Sequence, residues 1–260
     1  MSKRERRLVF GEVADVYERV RPGYPSELID DVVSLACVSA GDRVLEVGAG
    51  TGKATRLFAV HGLRMVCLEP SPAMVAIARR CCAPFPDVSF EVTSFEDWPV
   101  GPGAFRLLLS AQAWHWVSPA VRCSKAHEAL VPGGVVALFW NGSKVADAEL
   151  RMALDDVYAR HASALTAPAP GTMKPVRDGA DLSELERSGL FVAVAERRYA
   201  WCEDYTTARY LDLMQTHSDH RILDEDGRRR LLDAVAEVIV RAGAVITIDY
   251  VTTLYVARRL

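Results

Sequence analysis

One stretch constrains this chain more than any other: Val44-Leu45-Glu46-Val47-Gly48-Ala49-Gly50-Thr51-Gly52-Lys53. A short apolar run enters glycines at every second position, and a helical pattern follows at 53–60. Glycine there permits backbone torsions closed to other residues and lets a ligand approach the main chain. Three phosphate- or turn-type readings compete. A dinucleotide fingerprint requires glycine at position 53, where Lys53 stands. A P-loop requires glycine at 47 and a hydroxyl at 54, but Val47 and Ala54 occupy those places. A structural turn with no ligand is the third.

The surrounding pattern sets the fold class. Apolar strand-sized runs occur at 42–47, 64–68, 88–92, 105–110 and 135–140. Helical patterns separate them at 53–60, 71–80 and 118–130, with Ser71 as cap, Pro72 at the first helical position and a turn at 131–134. Another helix, 26–38, carries Leu28, Ile29, Val32, Val33 and Ala36 on one face, with Ser26 as its cap. Such alternation predicts a Rossmann-like α/β sheet with helices on both faces. The ligand crevice then lies outside the carboxyl ends of the strands, at 46–52, Glu69, 93–96 and 110–116. After strand five the pattern changes. Helices are expected at 145–163, 181–189, 203–215 and 228–241, a Pro/Gly-rich loop at 164–178, and strands at 191–199 and 245–256. These suggest helical cap insertions on a sheet edge. The expected organisation is a single domain over 1–260, with an N-terminal lid (1–39), a cofactor-binding half (40–141), and cap helices with carboxyl-terminal strands (142–260).

Composition excludes several classes. The chain has 260 residues with Lys+Arg 31 against Asp+Glu 34, a formal charge of −3. That balance gives no basic face for nucleic acid. The start lacks an apolar h-region, and no run reaches the roughly 20 apolar residues of a membrane span. None of the 6 cysteines forms a CxxC pair or sits at zinc-like spacing with histidine, so no metal is expected. The expectation is a cytoplasmic protein, monomer or homodimer, with no membrane partner.

Glu46-Val-Gly48-Ala-Gly50-Thr-Gly52 resembles motif I of the class I S-adenosylmethionine-dependent methyltransferases. The layout around it is similar too. Glu69, followed by Pro70, ends the second strand, where that family has an acidic residue on both ribose hydroxyls. Ser94 and Phe95 stand where the family contacts adenine, and Leu130-Val-Pro132-Gly133-Gly134 resembles its turn before strand five. The resemblance implies S-adenosylmethionine as cofactor and S-adenosylhomocysteine as product. It implies a seven-stranded sheet with its last strand antiparallel, and backbone at Gly48, Ala49, Gly50 and Gly52 close to the methionine part of the cofactor. Glu46 would order the loop and the cofactor ammonium.

Ser110-Ala-Gln112-Ala-Trp114-His115-Trp116 is similar to a segment of the trans-aconitate-type, methyltransferase type 11 group. So is Tyr17-x-x-x-Arg21-Pro-x-Tyr24. By that resemblance Tyr17 and Arg21 join Ser110, Gln112 and Trp116 at the cofactor, with Arg21 pairing a carboxylate. Tyr24, Trp114 and Trp140 would line the substrate pocket. Thr216, His217, Ser218, Asp219 and His220 concentrate polar groups in one loop, where Ser218 and His220 would border the pocket. His115 and His217 are the candidate bases; an unperturbed imidazole titrates near 6.5. The implied reaction is in-line methyl transfer to a small molecule, at a carboxylate or hydroxyl oxygen. The alternatives are transfer to nitrogen or carbon of a secondary metabolite, or a cofactor-binding protein without transferase activity. A nucleic-acid methyltransferase lacks its catalytic Asn-Pro-Pro-aromatic motif here, and a nicotinamide dehydrogenase is disfavoured by Lys53.

Overall fold

A computed structural model describes residues 14–162, 182–217, 220 and 223–260. The short apolar runs become parallel strands β1 (Arg43–Val47), β2 (Arg64–Leu68), β3 (Val88–Glu91) and β4 (Phe105–Ala111), joined by β5 (Leu130–Val145). Two later strands, β6 (Phe191–Thr206) and β7 (Val245–Arg259), complete a seven-stranded sheet of order β3-β2-β1-β4-β5-β7-β6. The last strand, β7, runs antiparallel to both of its neighbours, as expected.

Alternation along the strands divides the core. On one face Val44, Leu107, Val135 and Leu254 pack with Leu28 and Val32 of α2 (Ser26–Ala36) and Phe58 of α3 (Lys53–Ala59), beside α4 (Pro72–Cys81). On the other, Leu45, Leu108 and Leu138 pack with Ala126 of α5 (Arg122–Ala129) and Leu185 of α7 (Leu182–Arg187). A third cluster joins Ile246, Ile248 and Tyr250 of β7 to the cap helices α6 (Ala148–His161), α8 (Thr207–Gln215) and α9 (Glu225–Arg241). Val20 of the amino-terminal helix α1 (Ala14–Val20) is fully buried in that cluster. Among the described residues no helix is long and apolar enough to cross a membrane.

Several expected boundaries shift, and the shifts matter. The turn expected at 131–134 is absorbed into β5: Phe105 pairs with Leu130 and Leu107 with Val135, a bulge at which the register jumps. Beyond the Ala111–Phe139 pair, β5 continues through Val145 alongside β7, and β6 continues to Thr206. The helix expected from 203 therefore starts at Thr207, with the Thr206 hydroxyl accepting from Arg209 N at 3.3 Å. Three strands thus rise past the carboxyl ends of β1–β4 as a wall over the crevice. Ser26 does not cap α2: Pro25 is the cap residue and Ser26 the first helical one. Ser71 does cap α4, accepting from Met74 N at 3.4 Å. The Pro/Gly-rich loop at 164–178 lies outside the described residues.

Arg122, which the sequence reading passed over, fastens the segment after β4. It is 1% exposed, bonds Glu184 of α7 at 2.6 Å, and donates to the carbonyls of Trp114 and Val117. Breaking a buried pair from one side strands the partner charge. Arg122→Ala should therefore lower unfolding stability by about 3–5 kcal/mol in denaturant titration; a loss below about 1 kcal/mol would refute this role.

Candidate active site

The glycine loop is held by its neighbours on both sides. Gly48 N and Ala49 N both donate to the Leu68 carbonyl, at 2.9 and 3.0 Å, tying the end of β1 to the end of β2. Gly48 has φ +76°, and a Cβ there would stand 2.3 Å from the Ala113 Cβ, so no other residue fits. Gly50, at φ +58°, has open space where a side chain would project. The Ser110 hydroxyl, fully buried, donates to the Val47 carbonyl at 2.8 Å and locks β4 to the same loop.

Two carboxylates flank this loop. Glu69, 8% exposed, accepts from Gly50 N at 3.0 Å on one oxygen and Ser71 N at 2.9 Å on the other. Glu46 is fully buried. Its Oε2 accepts from the Thr55 hydroxyl at 2.6 Å and the Cys67 thiol at 3.6 Å, while its Oε1 has no hydrogen-bond partner among the described residues. Burial pushes its pKa up to about 7, against the opposing pull of the Thr55 and Cys67 hydrogen bonds, with Glu69 adding repulsion.

The amino-terminal segment closes over these groups. Arg21 donates from Nε to the Thr216 hydroxyl and from Nη2 to the Thr216 carbonyl, both at 2.8 Å, and lies 5.1 Å from the Tyr17 ring centre. These two bonds hold Arg21 to the end of α8. Tyr24 sits edge-on to Phe139 at 4.9 Å. Burial raises both tyrosine hydroxyls above their ordinary range. Tyr17 also feels Arg21 and Glu69; Tyr24 feels Tyr17, Glu46 and Arg21. Tyr17, Arg21, Tyr24, Glu46 and Glu69 therefore converge on one region.

Other expected residues are placed differently. Phe95 (2% exposed) and Trp114 (fully buried) belong to the core beneath the sheet, their rings 6.0 Å apart. Trp114 therefore forms no wall of an open pocket, contrary to expectation, because its apolar surface is worth more in the core. Ser94 closes a turn with Asp97, donating to its carboxylate at 2.7 Å. Gln112 holds φ +58°, unusual for a residue with a Cβ, and donates from Nε2 to the Asn141 carbonyl at 3.5 Å. His115 accepts from the Trp140 indole at 3.2 Å and packs on Trp116 at 5.0 Å. The His217 ring lies 5.9 Å from His220, and the buried His220 bonds the Tyr158 hydroxyl at 2.6 Å. Pro70 follows Glu69 directly and is half-buried. Ser218 lies outside the described residues.

The sequence reading missed Thr55, Asn141, Trp201 and Tyr250 as site residues, while Thr216 belongs to the polar loop it singled out. Thr55 carried one signal: it is a hydroxyl on the buried stripe Ala54, Thr55, Phe58 and Ala59 of α3. Trp201 stacks on Tyr250 at 4.4 Å, and Tyr250 bonds Tyr205 at 2.9 Å, giving the wall an aromatic shelf.

The buried Glu46 makes a pH prediction. Its folded pKa of about 7 exceeds the ordinary 4.5, so the folded state binds more protons than the unfolded one. Stability from this group is fully present below about 4.5 and is lost as pH rises to 7. Glu46→Gln keeps the shape and removes the charge. Its Tm relative to the parent should rise between pH 5 and pH 8 in the ligand-free protein; a pH-independent difference would overturn the assignment.

Comparison with known proteins agrees with this geometry. A family model described as a methyltransferase domain matches residues 44–134. An uncharacterized methyltransferase of Mycobacterium tuberculosis is 30% identical over 256 residues, covering 96% of each chain. The demethylmenaquinone methyltransferase of Tropheryma whipplei is 33% identical over 138 residues, covering 50% of this chain and 56% of its own. A type II methyltransferase candidate from Anaeromyxobacter dehalogenans superposes with a TM-score of 0.68 at 20% identity, covering 92% of this chain and 97% of that one. Glycine loop, paired acidic strand ends, mixed sheet and full-length relatives together place this chain in the class I S-adenosylmethionine-dependent methyltransferases.

Proposed function

We propose that the crevice between Glu46, Glu69 and the amino-terminal segment holds S-adenosylmethionine, and that the acceptor is a small molecule methylated at oxygen. The observation that carries the cofactor placement is the Glu46 Oε1: a fully buried acceptor with no donor among the described residues suits a ligand that brings an ammonium group. The other groups fit the same ligand. Glu69, aimed by the main-chain N–H groups of Gly50 and Ser71, takes the ribose hydroxyls as a carboxylate that can accept from a diol. Gly50, open where a Cβ would project, lets the ligand reach main chain. When bound, the cofactor supplies an electrophilic methyl group on a sulfonium whose sulfur leaves with the bonding electron pair.

The chain's own residues then do the positioning, which is the main task in such a displacement. Tyr17 and Tyr24 cover the crevice and exclude water. Arg21, held by Thr216, places its charge where an anionic acceptor approaches from the cap, within electrostatic reach of Tyr250. Trp201, half-buried and backed by the buried Tyr250 on which it stacks, offers a flat surface to that acceptor. A carboxylate arrives deprotonated and needs no base; for a hydroxyl, His217 or His115 takes the proton. We also place the protein in the cytoplasm as one domain, as monomer or homodimer.

Calorimetric titration of S-adenosylhomocysteine should show binding to the parent and a roughly 10- to 100-fold weaker complex with Glu69→Ala, the scale of hydrogen bonds to a charged group. Unchanged affinity would remove Glu69 from the site. In a labelled-methyl assay on a panel of organic acids and phenols, acid products should release methanol in mild base. Label transferred only to amines or carbon would overturn the oxygen reading.

A further inference from the structure

A directional hydrogen-bond chain links the acceptor side of the wall to the amino-terminal segment. The Trp201 indole donates to the Thr252 hydroxyl at 2.9 Å. Thr252, fully buried, donates in turn to Asn141 Oδ1 at 2.7 Å. Asn141 Nδ2 then donates to the Gly23 carbonyl at 3.0 Å. Each direction is forced. An indole N–H only donates, so Thr252 accepts from it and spends its single proton on Asn141. That identifies the Asn141 oxygen and turns its amide nitrogen toward Gly23. Asn141 and Thr252 are cross-strand partners on β5 and β7, in the part of the wall above β4. Gly23 lies between Arg21 and Tyr24, the two residues that reach over the carboxylates. Asn141 itself touches none of the reacting groups.

We propose that Asn141 is a positioning residue: oriented by Thr252 and Trp201, it holds the Gly23 carbonyl and so keeps Arg21 and Tyr24 closed over the crevice. Because Trp201 also forms the acceptor shelf by stacking on Tyr250, the grip on the cofactor side is tied to the acceptor side. The inference rests on the cofactor placement above, and its test separates the two.

Thr252→Val keeps the shape but removes the proton that orients the amide. Asn141→Asp can still accept from Thr252 but has no hydrogen for Gly23. Thr252→Ser restores the hydroxyl. Two readouts are taken on the full chain: affinity for S-adenosylhomocysteine by calorimetry, and the ligand-free rate of tryptic cleavage after Arg19 in α1. Thr252→Val and Asn141→Asp should each weaken affinity about 5- to 20-fold and speed cleavage by a similar factor, with Thr252→Ser within about twofold of the parent. Parent-like affinity and cleavage in Asn141→Asp would overturn the proposal, even if Thr252→Val failed to fold. A lowered Tm in the variants with neither readout changed would show a merely structural contact and overturn it as well. Should the parent not bind S-adenosylhomocysteine, the cofactor placement falls, while the cleavage series still decides the role of Asn141.

Discussion

Two main-chain N–H groups, of Gly50 and Ser71, converge on the carboxylate of Glu69. Everything at the ligand end of the sheet depends on that convergence. It joins the loop after β1 to the turn before α4, while Gly48 and Ala49 join the same loop to Leu68. The result is a pair of strand ends tied together, with the Glu69 carboxylate already aimed. A carboxylate fixed by main chain needs no side-chain rearrangement to meet a diol, which is the saving that preorganisation brings to binding.

Glu46 is the complementary case. It is buried rather than displayed, and among the described residues two side-chain donors, Thr55 and Cys67, reach it. Raising a carboxyl from 4.5 to about 7 corresponds to about 3 kcal/mol against ionisation. Burial thus favours the neutral form of Glu46, and the ammonium group proposed to bind there would favour ionisation again. Such groups are commonly found at functional sites for this reason.

The wall of β5, β7 and β6 gives the molecule its second half. Its exposed and half-buried residues alternate along β6, while β7 buries Ile246, Ile248 and Tyr250 under the cap helices. The cap interior is apolar but contains tyrosine hydroxyls that are kept protonated by burial: Tyr250 is pushed up to about 12, and Tyr158 and Tyr205 are raised further. They remain hydrogen-bond donors and acceptors across physiological pH. Their pairing, Tyr158 with His220 and Tyr205 with Tyr250, satisfies polar atoms that would otherwise be costly inside an apolar cluster.

Most of the parallel half of the sheet was legible in the sequence because β1, β2, β4 and the first part of β5 are largely buried and read as continuous apolar runs. The three glycines and the two acidic strand ends were legible because they sit at fixed distances along one chain segment. The continuation of β5 through Asn141–Val145 was not, because those residues are polar and only the β7 backbone opposite makes them a strand. Nor could the sequence separate Phe95 and Trp114, which went into the core, from Tyr17 and Tyr24, which came to the crevice. Aromatic residues at loop ends look alike until packing assigns them a side. The sequence by itself thus determined the parallel strands and the glycine loop, because local periodicity and spacing encode them, while the cofactor class followed from the resemblance of its motifs to a known family. Only the tertiary structure decided that Arg21 is held by Thr216, that Thr55 meets Glu46, and that Asn141 faces Gly23. The Arg21 and Asn141 contacts join residues more than a hundred positions apart, and no local pattern carries the direction of a hydrogen bond between them.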